Sequence, residues 1–207
     1  LIFIYFGGVI LMKKFVSYED IRTNGLKLAY KIYKDGFIPD IMYVSLRGGA
    51  YLGNIISEFF KFIKLEKPLL YAAVVARSYD ISNHQKKIMI DGWTYDPKYL
   101  RVGDNVLFVD DIFDTGRTII HLRDEVLKRG IDSKNVKIAV YDYKERRCVN
   151  YKPDYYVNKY SSEDDINTWI HYSNHELIGL SENEYKLSFI NLDDELNDIL
   201  KFLSKKL

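Results

Sequence analysis

Val106-Leu107-Phe108-Val109-Asp110-Asp111-Ile112-Phe113-Asp114-Thr115-Gly116-Arg117-Thr118 is the stretch that decides the fold. Val106 to Val109 is a short, continuous apolar run, the kind that sits in a strand buried on both faces in the middle of a parallel sheet. Asp110 and Asp111 close it, Asp114 to Gly116 make a small-residue loop, and Ile119 to Leu127 carry a helical apolar pattern that stops at Gly130. The order is strand, loop, helix. Backbone N–H groups at a helix start lack partners within the helix and favour an anion, and Thr115 and Thr118 add hydroxyl donors, so the loop is expected to hold a phosphate. Carboxylates repel phosphate, and Asp110 and Asp111 therefore need a different partner: ligand hydroxyls, or a hard divalent cation such as magnesium. A sugar phosphate with a metal meets both demands.

Upstream, Ile41-Met42-Tyr43-Val44 repeats the pattern, ending in Ser45-Leu46-Arg47-Gly48-Gly49-Ala50 before a helical run through Leu52, Ile55, Ile56 and Phe59. A doubly wound sheet places such loops on one edge, where this one and the Asp110 loop face each other across a crevice. Arg47 beside two glycines suits a second anion, because backbone N–H groups approach closely where no Cβ intervenes. Taken alone, the same residues read equally well as a tight turn with a surface arginine.

Further out, Ser17 caps a helix with acids in its first turn, and Asp35-Gly36 stops it. Leu69 to Ala76 is a third strand, followed by Arg77-Ser78-Tyr79-Asp80 and a polar stretch that reads as a solvated loop or a lid; Lys86 to Ile90 reads as a returning hairpin arm. Val136 to Tyr141 is the next sheet strand, with Lys144 shortly after it, and Thr168-Trp169-Ile170 lies in a polar segment. Leu192, Leu196, Ile199, Leu200 and Leu203 form a stripe at helical spacing and predict a packing helix.

The balance of 30 Lys and Arg against 29 Asp and Glu in 207 residues gives no bulk field for nucleic acid. Cys148 is the only cysteine, which excludes an intramolecular disulfide and a cysteine metal cluster and points to a reducing, cytoplasmic compartment. Leu1 to Met12 is apolar, but it lacks a preceding basic residue and is too short for a bilayer span, so no membrane role is expected. Residues 1–11 read as a non-native or disordered extension from a mis-assigned start, leaving 12–207 as one domain with its core at about 15–145 and a hood and C-terminal helix at about 146–207.

The run from Val106 to Thr118 resembles the phosphoribosyl pyrophosphate (PRPP) motif of type I phosphoribosyltransferases: apolar strand, two acids, two apolar residues, then Asp-Thr-Gly-X-Thr. The resemblance implies an α/β fold with a parallel-dominated sheet flanked by helices and a small hood. It also implies transfer of 5-phosphoribose from PRPP to a purine nitrogen, with magnesium as cofactor. Thr115, Gly116, Arg117 and Thr118 would hold the 5-phosphate. Asp110 and Asp111 would hold the ribose hydroxyls and, directly or through water, the metal. Leu46, Arg47, Gly48 and Gly49 match the pyrophosphate loop, whose peptide before the basic residue is often cis, here Leu46–Arg47. Asp114 falls where family members use an acid to take the proton from purine N7, so Asp114 and Arg47 are the expected catalytic residues. Ser78-Tyr79 is similar to the Ser-Tyr pair of a catalytic lid.

The chain looks closest to the hypoxanthine-guanine and xanthine-guanine branches. There a lysine after the corresponding strand donates to the 6-oxo group, and a Trp-Ile pair stacks on the purine and reads its edge. Carried over, these are Lys144, Trp169 and Ile170, with Glu176 as a stand-in for a further metal-side acid at a spacing one residue off the family pattern. An ammonium has donors only and so disfavours the amino group of adenine. A homo-oligomer, dimer or tetramer, is expected. The rivals are an adenine or orotate phosphoribosyltransferase and a non-catalytic regulator that senses PRPP or a nucleotide.

Overall fold

The computed structural model describes residues 2–6, 9–63, 67–81, 85–172, 184 and 193–204. Along the chain these form β1 (Ile2–Phe6), β2 (Val9–Val16), α1 (Tyr18–Lys34), β3 (Ile41–Leu46), α2 (Ala50–Phe62), β4 (Leu70–Ile81) and β5 (Gln85–Trp93). There follow β6 (Val106–Phe113), α3 (Arg117–Leu127), β7 (Val136–Lys144), β8 (Tyr155–Tyr160), α4 (Glu163–Asn167), β9 (Trp169–Tyr172) and α5 (Asp194–Ser204). The chain divides into two compact units, Glu19–Asn167 and Leu1–Tyr18 with Thr168–Leu207. The larger unit runs through Asn167, with β8 pairing alongside β7.

The larger unit is a six-stranded sheet in the order β5-β4-β3-β6-β7-β8, parallel throughout except for β5, which runs antiparallel to β4. Tyr43, Phe108 and Ile138 are fully buried on its central strands. One face of the sheet packs on α3, where Ile119, Leu122 and Val126 join Ile41, Tyr43, Val106, Phe108 and Ile138 in one cluster. The other face takes α2: a Cβ on Gly53 would collide with the Val44 side chain, so the helix lies directly on β3 there. α1 packs on α2 at Gly25, where a Cβ would press tightly on the Leu52 and Ile55 side chains. Helices on both faces explain why the central strands read as continuous apolar runs.

From β3 the chain moves outward to β4 and β5, then crosses back to place β6 on the other side of β3. The strand order reverses between β3 and β6, and ligands of open parallel sheets bind outside the carboxyl ends of the strands at such a point. Helix stops follow their sequence signals: Gly36 takes φ +77 just after α1 and Gly130 takes φ +88 after α3. β4 and β5 are longer than expected. Ser78 and Tyr79 lie inside β4, paired with Ile88 and Lys87, where the sequence suggested a loop.

In the smaller unit β2 pairs antiparallel with β1 and parallel with β9. Residues 2–6 and 9–11, read from sequence as part of an extension outside the domain, are therefore strand residues of a three-stranded sheet. Lys13 and Glu184 form a buried ion pair there at 3.1 Å. No helix among the described residues is long and apolar enough to cross a membrane.

Candidate active site

Parallel pairing of β3 with β6, Val44 opposite Val109, brings the two loops that the sequence singled out side by side. The contact is intimate. A Cβ on Gly48 would overlap the Asp111 carboxylate, and one on Gly49 would overlap the Val109 carbonyl and crowd the Asp110 Cα. Glycine is required here by close approach of the neighbouring loop, since Gly49 itself has an ordinary φ of −71. The Leu46–Arg47 peptide is cis, as the resemblance implied. Arg47 is exposed at the crevice edge.

Below the second loop, Phe113 is fully buried and its ring lies under Gly116. Gly116 adopts φ +66, ψ −1, a left-handed conformation, and a Cβ there would run into that ring. α3 then begins at Arg117 without any side-chain cap, so its first-turn N–H groups are left for a ligand. Thr115 and Arg117 are exposed and Thr118 half-buried around that helix start. The arrangement presents backbone donors, hydroxyls and a cation to one anion.

Asp110 and Asp111 lie near the carboxyl end of β6, which keeps one register with β7 from Val106 to Phe113. Val106 and Phe108 share the α3-side cluster with Phe113, a position that strict alternation would send to the opposite face. Both acids are half-buried, with Asp110 Oδ1 accepting from the Asp111 N–H at 3.0 Å and Asp111 Oδ1 from the Ile112 N–H at 2.8 Å. Burial, and then the neighbouring Asp111 carboxylate, push Asp110 well above the usual carboxylate range. Two crowded carboxylates of this kind would be relieved by a cation. Among the described residues no group of three or more His, Cys, Asp or Glu side chains could hold a metal. The two carboxylates are hard oxygen donors of the kind magnesium takes, one or two at a time, beside phosphate oxygens and waters. Glu176 lies outside the described residues.

On the far side of Asp114 stands Lys144, the last residue of β7, three positions beyond the strand end expected from sequence. It is buried, and its Nζ is 3.9 Å from Asp114 Oδ2. Burial lowers its pKa, opposed mainly by the Asp114 charge. Arg146, which the sequence reading missed, donates from Nε to Asp114 Oδ1. Its only sequence signal was a second cation two residues after Lys144. Asp142, wholly buried behind them, accepts from Asn158 Nδ2 at 2.8 Å and the Tyr160 hydroxyl at 3.1 Å.

The larger unit therefore gathers Leu46 to Gly49, Asp110, Asp111, Asp114 to Thr118 and Lys144 along the β3, β6 and β7 ends. Ser78 and Tyr79 are strand residues whose side chains lie outside the description. Trp169 and Ile170 belong to the smaller unit, on β9, paired with Lys13 and Lys14; Trp169 is 55% exposed and Ile170 buried.

The sequence profile of the phosphoribosyl transferase domain matches residues 17–175. A hypoxanthine-guanine phosphoribosyltransferase from Streptococcus thermophilus is 31% identical over 151 residues, covering 70% of this chain and 77% of that protein. A protein of the same name from Aquifex aeolicus is 29% identical, with 70% and 78% covered. Among solved structures, a purine phosphoribosyltransferase from Pyrococcus horikoshii superposes with a TM-score of 0.63 at 24% identity, over 83% of this chain and 99% of that one, a likeness of fold.

Proposed function

Because the chain belongs to the phosphoribosyltransferase family, and is thus a pentosyltransferase, we propose that it transfers 5-phosphoribose from PRPP to a 6-oxopurine. The products are the nucleoside monophosphate and pyrophosphate. The observation that carries the substrate class is the pair Lys144 and Asp114, a donor beside an acceptor at 3.9 Å next to the phosphate loop. A 6-oxopurine presents the complement side by side on one edge: an oxygen at C6 that accepts and an N7–H that donates. Adenine would set an amino donor against the ammonium, which has no acceptor to offer.

The other residues have matching work. The first-turn N–H groups of α3, with Thr115, Arg117 and Thr118, bind the 5-phosphate, and Asp110 and Asp111 accept from the ribose hydroxyls. Purine N9 attacks the ribose C1 as the C1–O bond to pyrophosphate breaks, and Asp114 takes the N7 proton. Charge grows on the leaving pyrophosphate, where Arg47 and the Gly48 N–H stand ready before the reaction begins, the Gly49 N–H being held by the Ser45 carbonyl at 2.9 Å. Asp110 and Asp111 would hold magnesium beside the substrate, and the ion would supply neutralisation of pyrophosphate charge.

Pyrophosphate release is the test, measured with PRPP and magnesium and, in turn, hypoxanthine, guanine, xanthine, adenine and orotate. Turnover with one or more of the first three is the expected result. Turnover with adenine or orotate alone would replace the base assignment, and no release with any base would favour the regulator.

A further inference from the structure

We propose that Arg146 is a latch on Asp114: in the base-free enzyme its guanidinium occupies the carboxylate oxygen that the purine N7–H must reach, and the arriving base displaces it. This rests on the reading of Asp114 as the purine-side proton acceptor. Arg146 then acts as a positioning residue, setting when Asp114 is open to substrate.

Three observations carry the inference. First, the occupied atom is the relevant one: Arg146 Nε donates to Asp114 Oδ1, while Lys144 Nζ lies on the other oxygen at 3.9 Å. Arg146 thus takes an acceptor position on Oδ1, on a carboxylate whose side chain is otherwise 40% exposed. Second, the two cations differ in freedom. The Lys144 side chain is 7% exposed and its backbone is paired with Tyr160 in the sheet, whereas the Arg146 side chain is 28% exposed on a turn. Lys144 stays, and Arg146 is the one able to move. Third, only its side chain has to move, since the turn is pinned. Glu145 N–H donates to the Tyr160 carbonyl at 2.9 Å, Arg146 N–H to the Lys144 carbonyl at 3.0 Å, and Val149 N–H to the Arg146 carbonyl at 3.1 Å. Glu145 is further held by Lys159 at 2.8 Å and by the Ser161 hydroxyl at 3.0 Å.

A released guanidinium has somewhere to go. A hollow of about 320 Å³ opens beside the turn, lined by Arg146, Arg147, Cys148, Ser161, Glu163 and Asn167. The Glu163 carboxylate there offers a replacement acceptor. Displacement exchanges one N–H···O bond at Asp114 for another, so the count of satisfied groups is preserved and the exchange stays reversible.

Two measurements test it. In 15N-labelled protein, the Arg146 Nε–H resonance, assigned by its loss in Arg146→Lys, is followed as hypoxanthine is added with magnesium and pyrophosphate. The expected result is a shift of that resonance in step with occupancy. Shifts elsewhere with Arg146 unmoved overturn the latch alone, and a spectrum that hypoxanthine does not change overturns the purine reading and the latch together. Second, Arg146→Ala removes the competitor, so KM for hypoxanthine should fall about three- to tenfold while KM for PRPP stays, as expected when a binding-competent state becomes fully populated. A rise in the hypoxanthine KM would make Arg146 a base-binding group and end the proposal.

Discussion

The loop at Asp114 to Thr118 and the turn at Glu145 to Cys148 flank the same carboxylate, yet they are built differently. In the first, shape is fixed by backbone. Gly116 sits left-handed on the Phe113 ring, and in the neighbouring loop after β3 Gly48 abuts the Asp111 carboxylate and Gly49 the Val109 carbonyl, so no side chain fits at any of the three. In the second, backbone hydrogen bonds pin the turn, but what it presents is charge: Arg146 and Lys144 converge on Asp114 from a turn and a strand end. The difference teaches where change is tolerated. A phosphate is the same in every substrate of a phosphoribosyl transfer, and a rigid backbone cradle suits it. The base varies, and side-chain pairs can be altered or displaced without refolding the sheet.

The largest effect is expected where the two regions meet. Asp114→Asn should lower turnover about 10²–10⁴-fold, the usual contribution of a proton acceptor, in steady-state pyrophosphate release. Near-normal turnover would remove the role. On the backbone side, Gly49→Ala should push the pyrophosphate loop off Asp110. A misplacement of about 1 Å can cost about 10²-fold, and here the loss should appear with every base alike. Base-dependent loss from that substitution would break the division between the two regions. On the charge side, Lys144→Ala should lower kcat/KM for hypoxanthine about 10–100-fold, the value of one charge-assisted hydrogen bond, with KM for PRPP little altered. Equal loss of both would place Lys144 in the fold and not in base recognition.

The smallest effect concerns stability. Because the Asp110 pKa is raised, the native state binds its proton more tightly than the unfolded chain, and stability from this group is lost as pH rises through the folded value. Asp110→Asn removes that penalty while sacrificing turnover. A gain of about 1 kcal/mol would raise Tm by about 2–4 °C at pH 7.5 in a chain of this size. The gain should shrink as pH approaches 4, where the wild-type carboxyl is already protonated. A lower Tm for the variant at pH 7.5 would mean that the Asp110 hydrogen bonds outweigh its buried charge.

Much of this was legible beforehand. The β6, loop and α3 sequence carries its own punctuation: β-branched residues, acids, glycine, then helical period. β3 and its glycine loop read the same way. Other features were hidden because their causes are remote in sequence. β4 continues past Ala76 to Ile81 because β5 returns alongside it, and backbone pairing overrides the polar character of Ser78 to Asp80. β7 reaches Lys144 because β8 pairs with it through Tyr160. Residues 2–6 looked like an extension because most of their antiparallel partner, residues 9–12 of 9–13, lay within the same apolar run, so no change of composition marked a strand pair.

By itself, the sequence determined the parallel sheet, the strand-loop-helix unit around Gly116 and the adjacent acid pair, since these depend on contiguous residues whose backbone preferences act locally. Tertiary structure decided what Asp114 meets. Its Lys144 and Arg146 neighbours lie 30 and 32 positions away, brought in by the pairing of β6 with β7 and by the turn that β8 holds. Local periodicity carries no information about such a meeting, because which side chains converge depends on strand register and turn geometry together.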